Sequence, residues 1–403
     1  MNPQHIDADM RAYLENRELT CGGLIVRRGE EIVLEQNWGY ADPRTKTPAD
    51  SRSLYRMMSM TKPVVAVAVM QQIEDGRLTL DTPVSRFLPS YRNPRVTADP
   101  RYESADWTDD DTIARLSAAF DPEAVKTVPA VRDITVRDLL THSSGLAQGV
   151  VGMLCGQRDR TDRRTVADAA EGYGRYLLDF QPGTAYGYSP LAAFDVLLRV
   201  AELAADEEAA SLLRRRIFAP LGMDDTTFFP TEEQKSRLVR LVRRENGILA
   251  DKTWTGEDIL SATLRDGYHY AMGGAGLCST LRDYDRFVAM LLGEGTFGGA
   301  RILSPETVRR MQTERMEHLP DPDAGMQWGL GMIVRTDPAK AASPCTAGTY
   351  GWSGAYGTHF IVSPADRLSA VWVTNRTDLN GSSSPISYHV EELVFEDGAD
   401  ALR

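Results

Sequence analysis

At 403 residues, 42% hydrophobic and 25% charged, the chain has the make-up of a globular protein with room for two lobes, not of a fibrous or disordered one. Its net charge of -12 comes with no long basic run: Arg163 with Arg164, and Arg214 with Arg215 and Arg216, read as solvated helix faces, which disfavours nucleic acid and anionic membranes as partners. The four cysteines, Cys21, Cys155, Cys278 and Cys345, are widely spaced and form no CxxC pair, so neither a zinc site nor a disulfide framework is expected, and no metal or other cofactor is implied.

Residues 1–20 are polar and acidic, without the charged head, apolar stretch and small-residue cleavage site of a signal peptide. The apolar run at 64–70 is far too short to span a membrane, so a cytoplasmic location is expected. Residues 24–40 predict a hairpin, with Leu24-Ile25-Val26 and Ile32-Val33-Leu34 on either side of the turn Arg27-Arg28-Gly29-Glu30. Residues 57–75 predict a helix stopped by Gly76. Its middle, Val64 through Met70, is apolar on every face and belongs at the centre of the protein. Helical patterns follow at 136–141, 191–204 and 209–218, while the charged, proline-containing stretch 93–129 reads as an irregular surface excursion. An amphipathic helix is expected at 281–292. Short β-branched and aromatic strands are expected at 328–335, 358–363 and 368–374, the last two joined by the turn Pro364-Ala365-Asp366-Arg367. A final helix occupies about 385–395. Strands near both ends with helices between them predict an α/β (α+β) fold: one antiparallel sheet built from both termini and flanked by helices. Residues 1–84 and 271–403 would form the sheet domain and 85–270 an inserted, mostly helical lobe, with the site between them.

Three short motifs carry chemistry. In Ser59-Met60-Thr61-Lys62 the spacing of three puts a hydroxyl and an amine on one helix face, at the head of the buried run. A buried lysine gives up its proton more easily, and a helix start aims its positive end at a developing oxyanion. The bland alternative is a capping serine beside a solvated lysine. Tyr188-Ser189-Pro190 follows the turn Phe180-Gln181-Pro182-Gly183, and its tyrosine could equally be a core residue. Trp352-Ser353-Gly354 lies in a glycine-rich approach to a strand, where Gly and Trp are natural on packing grounds alone.

Together, in this order, the three motifs resemble the active-site signature of the serine β-lactamase superfamily, most closely its class C-like branch and the family VIII carboxylesterases. The stretches 139–146 (Leu-Leu-Thr-His-Ser-Ser-Gly-Leu), 220–223 (Pro-Leu-Gly-Met) and 273–280 (Gly-Gly-Ala-Gly-Leu-Cys-Ser-Thr) agree with it, and the likeness runs over residues 20–395. The resemblance implies Ser59 as nucleophile, Lys62 and Tyr188 sharing proton transfer, and an oxyanion hole made by the backbone N–H groups of Ser59 and Ala355. The stretches around His142 and Gly273 read as structural. Two departures point away from lactams. Pro190 stands where β-lactamases of this branch carry an asparagine that holds the acylamino group. Trp352 stands where they carry a lysine that attracts the substrate carboxylate. Pro190, Trp352, Ser353, Gly354 and His359 are therefore expected to line the substrate site, although a packing role is the competing reading for His359.

The resulting expectation is a serine carboxylesterase acting on small esters through an acyl-enzyme. β-Lactamase, D-amino-acid peptidase or amidase, and acyltransferase chemistry remain as alternatives, beside a non-catalytic binding protein of the same fold. No Gly-x-Ser-x-Gly, Gly-x-x-x-x-Gly-Lys or His-Glu-x-x-His occurs, and Gly274-Ala275-Gly276 is a poor dinucleotide fingerprint.

Overall fold

Strands from the two ends of the chain lie side by side in the computed structural model, which describes residues 1–103, 109–320, 324–381 and 384–395. The eight strands of the main sheet are β1 (Cys21–Arg28), β2 (Glu31–Asp42), β3 (Thr47–Pro48), β4 (Met326–Trp328), β5 (Ile333–Arg335), β6 (Tyr350–Gly354), β7 (Thr358–Ser363) and β8 (Leu368–Val373). Their order is β4-β5-β6-β7-β8-β1-β2-β3, and every neighbouring pair is antiparallel. β1 meets β8 in the register Gly23↔Val373 and Leu24↔Trp372, which welds the termini together. Gly22 is required there, because a Cβ on it would overlap the indole of Trp372.

The period of two sorts the side chains into two cores. Phe360, Val362, Val371 and Val373 join the large core, where helix Leu281–Leu292 presents Tyr284 to Phe360 with ring centroids 5.7 Å apart. Leu24, Val26, Ile361 and Trp372 face the other way, onto helices Pro3–Glu15 and Pro385–Phe395. The N-terminal helix has no strong apolar stripe in the sequence; it is capped by Asn2 and anchored by Ile6 and Met10.

The helix expected at 57–75 is a 3₁₀ turn, Met58–Met60, leading into an α-helix, Thr61–Glu74, which is buried from Thr61 through Gln72. It packs on helix Ala192–Ala205. Gly76 takes φ +71° after its end, as a stop requires.

Three expectations change. The single strand at 328–335 is a hairpin of β4 and β5, folded at Gly329-Leu330-Gly331 with Gly331 at φ +86°. The excursion 93–129 is pinned at its neck by the pair Arg95–Thr97 and Thr127–Pro129, and it buries Val96, Tyr102, Phe120 and Val125; residues 104–108 within it lie outside the described residues. The mostly helical middle also contains a hairpin, Val242–Glu245 with Ile248–Asp251, turned at Asn246-Gly247 where both residues have positive φ. Among the described residues no helix is long and apolar enough to cross a membrane.

Candidate active site

Ser59 sits on the 3₁₀ turn, and that turn is held from two sides. Met57 donates its N–H to the carbonyl of Leu277 at 2.9 Å, and Thr358 Oγ1 donates to the Met57 carbonyl at 3.0 Å. One turn later Lys62 is buried, and its Nζ donates to Ser59 Oγ at 3.0 Å, the Pro190 carbonyl at 2.6 Å and the Gly274 carbonyl at 2.8 Å. The two carbonyls can only accept, so they fix the direction of the Lys62 nitrogen, while the Ser59 hydroxyl can exchange a proton with it. The close approach at Gly274 needs glycine, because a Cβ would press on Leu191 and on the Pro190 carbonyl.

Tyr188 comes from a segment with no helix or strand and remains partly exposed, with its hydroxyl 2.8 Å from Ser59 Oγ. The indole Nε1 of Trp352 donates to the same phenol oxygen at 3.3 Å. Trp328 stacks on the Tyr188 ring, with centroids 5.9 Å apart and planes 12° apart, and Trp352 packs against Trp328 at 4.5 Å. The Lys62 ammonium lies 5.0 Å from the Tyr188 ring centroid.

The structure thus brings Ser59, Lys62, Tyr188 and Trp352 together. Pro190 joins them through its carbonyl, which holds Lys62. Gly354 ends β6 tightly against the serine turn: a Cβ there would overlap the Met57 carbonyl oxygen and the Thr358 hydroxyl. Ala355 follows, and its N–H enters no hydrogen bond among the described residues.

Ser353 and His359 belong to a different cluster. They pair across β6 and β7, on the opposite face from Trp352 and Phe360. Ser353 Oγ lies 2.7 Å from His359 Nδ1, and His359 Nε2 lies 2.8 Å from Glu391 Oε1 on the C-terminal helix. Arg335 pairs with the same carboxylate. Burial opposes ionisation of Glu391, but the hydrogen bond from His359 and the charge of Arg335 bring it down to about 2. These groups line a cavity of about 260 Å³. Neither side chain contacts Ser59, Lys62 or Tyr188 in the hydrogen-bond network.

Two polar residues at the site were not singled out from the sequence. Asp195 is fully buried and accepts the Gly274 N–H at 3.1 Å and the Tyr173 hydroxyl at 3.4 Å, with Tyr270 as a further donor. Burial pushes it up to about 6. Its signal is a lone carboxylate in the apolar run Ala192-Ala193-Phe194-Asp195-Val196-Leu197-Leu198. His142, read as structural, lies directly against Tyr188, with ring centroids 4.8 Å apart. A serine hydroxyl in reach of both a lysine nitrogen and a tyrosine oxygen can give up its proton to whichever of the two is unprotonated and attack an electrophilic carbon, which is the chemistry of acyl transfer.

Relatives match the chain over nearly its whole length. The chain is 31% identical over 387 residues to Protein Rv1367c of Mycobacterium tuberculosis, covering 93% of this chain and 90% of the relative. It is 29% identical over 410 residues to Esterase EstB of Burkholderia gladioli, covering 97% and 94%. Among solved structures, EstCE1, described as a hydrolase with promiscuous acyltransferase activity, shares the fold with a TM-score of 0.76 at 24% identity, covering 97% of this chain and 98% of that one. A profile of the Beta-lactamase family matches residues 6–394, a span that contains Ser59, Lys62, Tyr188 and Trp352, and the chain belongs to that family.

Proposed function

We propose that the chain is a serine ester hydrolase whose nucleophile is Ser59. The observation that carries this reading is the placing of Ser59 Oγ 3.0 Å from Lys62 Nζ and 2.8 Å from the Tyr188 hydroxyl. Ser59 Oγ attacks the ester carbonyl carbon, and its proton passes to this pair. Lys62 and Tyr188 share that transfer, and the Trp352 N–H donates to the Tyr188 oxygen. The N–H groups of Ser59 and Ala355 receive the oxyanion. The proton then goes to the departing alcohol, and water cleaves the acyl-enzyme by the same route in reverse. The relative named an esterase supports an ester as the substrate. Pro190 and Trp352 support a neutral one, since neither supplies a charged or amide anchor. In this reading segments 1–84 and 271–403 form one lobe and 85–270 the other, as a single catalytic unit. The buried free cysteines suit a cytoplasmic location.

The test is covalent labelling by a fluorophosphonate beside turnover of p-nitrophenyl acetate. The wild-type protein should be labelled and active. Ser59→Ala should be neither, with an unchanged circular dichroism spectrum. Ester turnover retained by purified Ser59→Ala protein would overturn the assignment.

A further inference from the structure

Tyr188 must hold its hydroxyl on Ser59 from a segment with no regular secondary structure, so something outside that segment has to fix it. His142 does this from both sides. Its carbonyl accepts the N–H of Gly187 at 3.1 Å, and its Nδ1 accepts the N–H of Ser189 at 3.1 Å, so the residues before and after Tyr188 are both tied to it. The imidazole also packs on the Tyr188 ring at 4.8 Å, and is itself wedged against Trp328 at 4.3 Å and Phe194 at 5.4 Å.

Two further features show that this position is specified. His142 has φ +54°, a left-handed conformation that few non-glycine residues adopt, histidine, asparagine and aspartate more often than the rest. Its Nε2 is buried with no hydrogen-bond partner among the described residues. Since Nδ1 accepts a hydrogen bond, Nε2 must carry the proton. Burial, with the charge of Lys62 acting the same way, holds the imidazole well below its usual pKa, so the ring stays neutral. A neutral ring keeps its Nδ1 lone pair free for Ser189, and it adds no second cation beside Lys62.

We propose that His142 is the positioning residue for Tyr188, gripping the backbone on both sides of it and supporting its ring so that the phenol hydroxyl meets Ser59. The proposal rests on the reading that Tyr188 takes part in proton transfer.

The test compares His142→Gly with His142→Asn. Both residues tolerate the left-handed backbone, but only asparagine keeps an acceptor near the place of Nδ1. On p-nitrophenyl acetate, His142→Gly should lower kcat roughly 10- to 100-fold, the scale of a misplaced reacting group, with KM changed less than about threefold. His142→Asn should recover most of that loss. In a Tyr188→Phe background the glycine substitution should lower kcat no further, since the hydroxyl that it misplaces is already gone. Wild-type-like kcat in His142→Gly, or an asparagine variant no better than the glycine one, would overturn the proposal. If Tyr188→Phe itself kept full activity, the reading of Tyr188 would fall instead. A measurement on the wild-type protein guards against a variant that does not fold. The ¹⁵N shifts of His142, assigned by difference from His142→Asn, should be those of a neutral ring protonated at Nε2. A proton on Nδ1 would refute the grip on Ser189.

Discussion

Gly354→Ala is the sharpest available probe of the oxyanion hole, because it changes one hydrogen to a methyl and touches neither Ser59 nor its proton acceptors. The added Cβ would lie well inside 3.0 Å of both the Met57 carbonyl oxygen and Thr358 Oγ1, and 3.1 Å from the Met58 Cβ. The Thr358 hydroxyl can rotate away, at the loss of its 3.0 Å bond to Met57. The Met57 carbonyl cannot, because its residue is also held through its N–H by Leu277. To reach ordinary contact distance, β6 and the serine turn must therefore part by about 1 Å, a displacement that can cost about 10²-fold when it moves a reacting group. Gly354 precedes Ala355, and Met57 precedes Ser59 by two residues, so the separation falls between the two N–H donors proposed for the oxyanion. Losing the alignment of one such donor costs about 3 kcal/mol of transition-state stabilisation, or 10²- to 10³-fold in kcat. Gly354→Ala should accordingly lower kcat on p-nitrophenyl acetate by about 10²-fold or more. Thermal unfolding should stay cooperative and KM should change little, because the aromatic walls at Trp328 and Trp352 remain. A folded Gly354→Ala enzyme within threefold of wild-type kcat would refute the placement of the oxyanion hole between these segments.

Lys62→Ala and Tyr188→Phe should each lower kcat by about 10²-fold or more, and the double variant should lose far less than the product of the two, since both groups act on the one Ser59 proton; steady-state kinetics showing a multiplicative loss would contradict the shared transfer. Short-chain esters should exceed nitrocefin in kcat/KM by several orders of magnitude, because the two anchors missing at Pro190 and Trp352 are worth about 1.5–3 kcal/mol each; comparable values would mean that other residues supply them. Asp195 should make stability depend on pH in a definite direction. Burial raises it from 3.8 to about 6, so between those values the folded protein holds a proton that the unfolded chain has released, and stability falls as pH rises through that window, by about 3 kcal/mol at most. The Tm of Asp195→Asn relative to wild type should therefore climb between pH 4 and 7, and a difference that stays constant with pH would count against a buried, proton-holding Asp195.

What the sequence determined by itself is local. The three-residue spacing of Ser59 and Lys62 needs only a helical turn to bring them together, and they meet at 3.0 Å. The all-round apolar run 64–70 predicts a buried helix with Gly76 as its stop, and the helix is buried there with Gly76 at φ +71° after its end. The amphipathic stretch at 281–292 and the final helix at 385–395 appear with those bounds, because helical periodicity and capping act within a few residues. Signals of the same kind lie at Gly329-Leu330-Gly331 and Asn246-Gly247, which turn hairpins. Parity could also have separated Ser353 from Trp352, since adjacent strand residues point to opposite faces; the register Trp352↔Phe360 and Ser353↔His359 shows which face each takes. The rest belongs to the tertiary structure. Tyr188 reaches Ser59 across 129 residues, and from the residues alone it was as much a core tyrosine as a functional one. Its place followed only from the likeness to a family. The Pro190 and Gly274 carbonyls that hold Lys62, the Asp195 carboxylate that holds Gly274 and the His142 grip on both sides of Tyr188 leave no periodicity or spacing to read. Each is a backbone or lone polar group whose partner lies tens to hundreds of residues away, and only the packed chain brings the two within hydrogen-bond reach.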